Sequence, residues 1–207
     1  MSIYTDYKCL VSKYYRVIMN FLIPVGLGIV SLITSVIFDS IFFNCCYVIM
    51  SIITMVGDYF GFGCICKKGS FGMEYVRTSF RGNEALEHAL FLDLLSGMMR
   101  NLLFVFIGGF FVADSKLTIP VMIVMCLLLN VVYLISVNVT RYMELFYSIY
   151  LVVMLLSVIM VTLLTWLLQS GLNEMLLIVI LAAMILISFA GTYYHMISRL
   201  RASYIDE

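Results

Sequence analysis

Six runs of apolar residues, each close to twenty positions long, dominate the chain: Val17–Phe38, Ile41–Cys64, Leu94–Val112, Ile119–Val137, Leu145–Leu168 and Met175–Tyr193. About 20 residues are what a helix needs to cross the hydrocarbon core of a bilayer. A segment inside lipid must also satisfy its own backbone hydrogen bonds, which single spans do only as helices. With 64% hydrophobic and 12% charged residues, and a mean hydropathy of +1.11, the chain departs from soluble domains, where charge is nearer a quarter. The expectation is an all-α, polytopic membrane protein of one domain with six transmembrane helices. An interfacial helix would cover 1–16, spans one and two 17–64, a cytoplasmic region 65–93, spans three to six 94–194, and a cytoplasmic tail 195–207.

Twelve Lys and Arg balance twelve Asp and Glu, so net charge gives no argument for a nucleic-acid partner. Position is more informative. With both termini in the cytoplasm, eleven of the twelve basic residues count toward the inside, Arg100 among them from the inner half of its span, and only Lys116 falls outside. Lys and Arg resist translocation, so this bias fixes the orientation. A signal peptide is the competing reading of the first forty residues. The apolar run is too long for one, and Phe38-Asp39-Ser40 offers no small-x-small cleavage site.

The connections are unequal. Asp39-Ser40, Ala113–Thr118 and Gln169–Glu174 are too short to hold a domain, whereas about thirty residues separate Cys64 from Leu94 on the inside. Thr118 followed by Ile119-Pro120 reads as a helix start, since proline in the first turn loses no hydrogen bond. In the N-terminal arm, Ile3, Tyr7, Leu10 and Tyr14 follow helical spacing, with Lys8, Ser12 and Arg16 opposite. That pattern predicts an amphipathic helix at the interface, serving as a surface anchor or as a contact arm for a cytoplasmic partner.

In the inside loop, glycines bracket Met73-Glu74-Tyr75-Val76-Arg77-Thr78-Ser79-Phe80-Arg81-Gly82. Met73, Val76 and Phe80 would share one helical face, and Glu74 lies within ion-pairing reach of Arg77. Asn83 is positioned to cap a following helix, with Glu84 and Glu87 favouring its positive end. The segment is either a solvated connection or a short helix that fits a groove on a peripheral protein.

Several chemistries find no support. No G-x-x-x-x-G-K-[ST] phosphate loop occurs, so no nucleotide hydrolysis is expected of the chain itself. His88 and His195 stand apart, outside any zinc-binding pattern, and read as interfacial rather than metal-ligating. No catalytic set and no metal site is predicted. Cys9, Cys45, Cys46, Cys64, Cys66 and Cys126 fall on the inside or in the membrane, where they read as small packing residues rather than disulfide partners. Two charges stand out, Asp58 near the inner end of span two and Arg100 within span three. A charge at mid-bilayer costs about 2.5–3.5 kcal/mol, so both should face protein or water. They would pair with each other, or Arg100 would snorkel to the lipid heads toward Asp93. Asn20, Asn44, Asn101, Asn130 and Asn138 offer polar handles for helix association or for lining a pathway. Gly57, Gly61, Gly108 and Gly109 read as close-packing positions.

The layout resembles the permease subunits of bacterial type V ABC exporters, and the stretch from Met73 to Gly82 leading to Ala89-Leu90 and Asp93 is similar to small permeases of the phenol-soluble-modulin exporters. The resemblance implies a permease dimer in the bacterial cytoplasmic membrane, formed with a second permease chain, normally a copy of itself. Two copies of a separate cytoplasmic ATPase would bind beneath, carrying the ATP and Mg. Met73, Glu74, Tyr75, Val76, Arg77, Ser79, Phe80 and Arg81 would couple ATPase closure to the spans, and the cargo would include amphipathic peptides. Larger relatives carry re-entrant helices between spans five and six, whereas Gln169–Glu174 is bare. The other readings are the substrate-binding membrane subunit of a vitamin importer and a non-transporting immunity or assembly protein.

Overall fold

The structure, a computed structural model, describes residues 3–38, 41–58, 81–110, 119–140, 155, 159 and 174–205. All the elements among them are helical: α1 (Ile3–Leu10), α2 (Lys13–Val17), a π-helical turn (Ile18–Leu22), α3 (Ile23–Phe38), α4 (Ile41–Asp58), α5 (Gly82–Phe110), α6 (Ile119–Thr140) and α7 (Glu174–Ile205). Among the described residues, three stretches are long and apolar enough to cross a membrane: Lys13–Thr34, Gly82–Gly108 and Met175–Ser198. Cys45–Thr54 and Met122–Asn138 are shorter apolar helices. Of the predicted fifth span, only Leu155 and Ile159 are described; both are helical and exposed.

Local sequence explains most boundaries. Pro120 occupies the first turn of α6, where a missing amide costs nothing. The π turn has a specific cause. Pro24 has no N–H to give the Asn20 carbonyl, and its ring would collide with that carbonyl in a regular helix. The backbone widens instead, and the Ile23 amide bonds to the carbonyl of Ile18, five residues back.

The arm is not one amphipathic helix. It breaks at Val11-Ser12, and Ser12 caps α2 by accepting from the Tyr15 amide at 3.1 Å. The break turns Tyr14 away from the face it was expected to share with Tyr7: Tyr7 is buried, and Tyr14 is 81% exposed. The start of α5 also differs from expectation. Asn83 lies inside the helix rather than capping it, because the Ala85 amide already bonds to the Arg81 carbonyl.

Two buried clusters organise the packing. One joins Tyr47 and Met50 of α4, Phe104 of α5, Met125 and Leu129 of α6 and Leu181 of α7. The other joins Tyr7 and Val11 of the arm, Ala89, Leu90 and Leu94 of α5, Leu134 and Val137 of α6, and Met196 of α7. Along α6 and α7, low numbers meet low numbers and high meet high, so these neighbours run parallel. Likewise α3 runs parallel to α5. A Cβ built on Gly28 would come within 2.8 Å of Ile107 Cγ2 and 3.5 Å of the Gly108 amide nitrogen, so only glycine allows this approach. Much of the outer surface is apolar: Phe21 and Ile29 on α3, Met99 and Phe106 on α5, and Val179, Leu186 and Ile187 on α7 are all exposed. Such a surface suits lipid.

Candidate functional site

Polar side chains enter this apolar bundle at three levels. At the arm, α1 crosses the first half of α5. The Asp6 carboxylate meets His88 Nδ1 at 2.9 Å, while the hydroxyl of the adjacent Tyr7 lies 3.3 Å from Ser96 Oγ. His88 and Ser96 are eight residues apart, about 12 Å along a helix, so neighbouring residues of α1 brace separate turns of α5. Tyr7 is also within hydrogen-bonding reach of the Asn20 side chain, which the π turn carries. Burial, and then the Asp93 carboxylate, push the Tyr7 hydroxyl above its usual pKa of 10.0; Ser96, Asn20 and Arg16 oppose the shift. The Arg16 guanidinium sits 5.8 Å from the Tyr7 ring centre. In α2, the Tyr15 hydroxyl donates to the Gly57 carbonyl at 3.2 Å, tying the arm to the end of α4. Met19 packs over Gly57 so closely that a Cβ there would strike its side chain.

One level deeper lies Arg100, only 4% exposed, with its guanidinium 5.7 Å from the ring centre of Tyr133 on α6. The Tyr133 ring lies against the bare Cα of Gly97, and its hydroxyl donates to the Asp93 carbonyl at 3.4 Å. Arg100 thus turns toward α6 and stacks beside Tyr133. Asp93, buried at 5%, is seven residues earlier on the same helix, about 10 Å along the axis. Asp58 ends α4, and its side chain lies outside the described residues.

Deepest is an amide pair. Asn101 Nδ2 donates to Asn130 Oδ1 at 3.0 Å, joining α5 to α6, and Asn130 Nδ2 reaches Cys126 Sγ at 3.7 Å. Ser51 and Thr54 of α4 line a narrow crevice beside Asn101 with their hydroxyls turned back to the carbonyls of Val48 and Met50. Toward the far ends of α6 and α7, Asn138 donates to Thr192 at 2.7 Å and lies 3.3 Å from His195. Asn101, Asn130 and Asn138 therefore act as inter-helix ties, as does Asn20. Both histidines hold protein partners. Cys46 and Cys126 pack inward, whereas Cys9 and Cys45 are exposed. Among the described residues no three His, Cys, Asp or Glu side chains converge.

Of the expected coupling set, Met73, Glu74, Tyr75, Val76, Arg77, Ser79 and Phe80 lie outside the described residues. Arg81 is half exposed at the head of α5, where Nε and Nη2 both donate to Glu84 Oε2 at 2.9 Å. Sequence reasoning missed the Tyr133–Gly97 contact, for which no local signal exists. It also missed the π turn, whose signal was Pro24 within an apolar run. No family model matches the chain, and no curated protein or solved structure matches it.

Proposed function

We propose that the chain is the permease subunit of an ATP-driven exporter in a bacterial cytoplasmic membrane, moving amphipathic peptides or other hydrophobic cargo outward. It crosses the bilayer six times with both termini inside. It works as a dimer with a second permease chain, and two copies of a separate ATPase supply the ATP chemistry.

One observation carries this reading: the described residues on either side of 59–80 are both tied to the arm. Tyr15 holds the Gly57 carbonyl at one end of it, and Asp6 holds His88 shortly after the other. A force applied to that segment from below acts on α4, α5 and the arm together. The same end of the bundle carries Lys8, Lys13, Arg16 and Arg81, which favours a cytoplasmic location. The parallel course of α6 and α7 supports six crossings, because spans four and six of such a topology run in the same direction.

Everted membrane vesicles test the function. With the partner ATPase present, ATP should drive uptake of a fluorescent amphipathic peptide, and Phe80→Ala with Arg81→Ala should abolish it. Uptake that is absent in all vesicles, or unaffected by the substitutions, contradicts the reading.

A further inference from the structure

A cavity of about 380 Å3 lies between the arm and α5, lined by Tyr4, Tyr7, Asn20, Ser96, Arg100 and a wall of leucine and methionine. Pockets that hold small ligands span roughly 300–1,000 Å3. Its polar and apolar parts are segregated. Tyr7, Asn20 and Ser96 gather near one another, while Leu95, Met99 and Leu102 form an apolar side that continues onto the exposed face of α5.

Arg100 is the unbalanced group. It is more than nine-tenths buried, and its Nε makes no hydrogen bond among the described residues. A guanidinium inside an apolar span is costly unless it is compensated, and the Tyr133 ring returns only part of that cost. A phosphate or carboxylate oxygen is the natural complement, because arginine presents a planar fork of donors to it. Arg16, beside Tyr7, adds a second positive charge close by, and its Nε also lacks a hydrogen-bond partner. Asp93 is the acidic group facing this region; its carboxylate acts on Tyr7.

We propose that this cavity binds the head of an anionic lipid, its phosphate held by Arg100 with the Asn20 amide donating, and an acyl chain lying along Leu95, Met99 and Leu102. The apolar side favours a lipid over a free anion, since a ligand arriving from the bilayer would slide in along α5. The site closes over the crossing of α1 and α5, so an occupant would fasten the arm to the bundle. The inference stands independently of the transport reading and requires only that the chain resides in a membrane.

The test is thermal unfolding of delipidated full-length protein in a neutral detergent, titrated separately with phosphatidylglycerol, phosphatidylcholine and inorganic phosphate. A ligand bound only by the folded state raises the unfolding temperature in a saturable way. Phosphatidylglycerol should do so in the native chain, with phosphatidylcholine and phosphate inert. Arg100→Gln should shift the phosphatidylglycerol midpoint at least about tenfold. Should Arg100→Gln fail to fold, Met99→Trp carries the test: Met99 is 57% exposed at the apolar side, and an indole there fills the acyl path. An unchanged phosphatidylglycerol response in either folded variant overturns the proposal. So does an equal response to phosphatidylcholine, and a response to phosphate alone assigns the site to a free anion and overturns the lipid.

Discussion

Asn101 and Asn130 face each other across the α5–α6 interface with 3.0 Å between amide nitrogen and amide oxygen, both buried among apolar side chains. Each satisfies part of the other's hydrogen-bonding need where water is absent. Inter-helix bonds of this kind average about 0.6 kcal/mol in membranes and reach about 1.7 kcal/mol, less than intuition suggests, because unfolded helices in lipid also find partners. Asn130→Leu alone should cost about 1–2 kcal/mol, since it strands Asn101. Asn101→Leu with Asn130→Leu should recover part of that loss. A double-mutant cycle on detergent unfolding checks it; strictly additive losses would mean the pair does not interact.

The Tyr133 ring rests where Gly97 has no side chain. Gly97→Ala should destabilise the protein by about 1–3 kcal/mol through overpacking, and Tyr133→Leu should relieve much of the penalty in the double variant. Nothing lies within 4 Å of a Cβ added at Gly26 or Gly191. Alanine at those helical positions should be neutral or stabilising by about 0.5–1 kcal/mol. Unfolding temperatures of the three single variants decide this, and equal responses would contradict the contact.

Tyr7 links the arm to pH. Its folded-state pKa is raised above 10.0, chiefly by burial and next by Asp93. The folded chain therefore holds the phenolic proton more tightly than the unfolded chain. The associated stability is complete below pH 10 and is lost as pH rises through the raised folded value. Hydrogen exchange of residues 3–17 should accelerate above pH 10 in the native protein beyond the intrinsic alkaline increase, and Tyr7→Phe should remove that extra acceleration. Identical profiles in both would show that Tyr7 does not anchor the arm.

The helical class and the positions of most apolar stretches were legible because spanning length and hydropathy are properties of a local window. Val17, Ile41, Leu94, Ile119 and Met175 each begin a run whose core is helical in the structure. The arm was misread because the spacing of Ile3, Tyr7, Leu10 and Tyr14 is periodic, whereas the break at Ser12 depends on one hydroxyl reaching the Tyr15 amide. At the head of α5 the Arg81 guanidinium pairs with Glu84, and its carbonyl opens the helix in place of the expected Asn83 cap. Arg100 illustrates a different limit. Whether an arginine in a span snorkels or turns inward depends on which helix lies opposite it, and Tyr133 is 33 positions away.

In the proposed exporter a separate ATPase drives the bundle through residues 73–81. The direct measurement is ATP hydrolysis by the complex retained on the tagged full-length chain after mild detergent extraction. An ATPase should stay bound to the native chain and to Glu84→Gln, which keeps Arg81 but removes its pair, and should be lost from Phe80→Ala with Arg81→Ala. Retention of the same hydrolytic activity by the alanine variant, or no ATPase on the native chain, would contradict it.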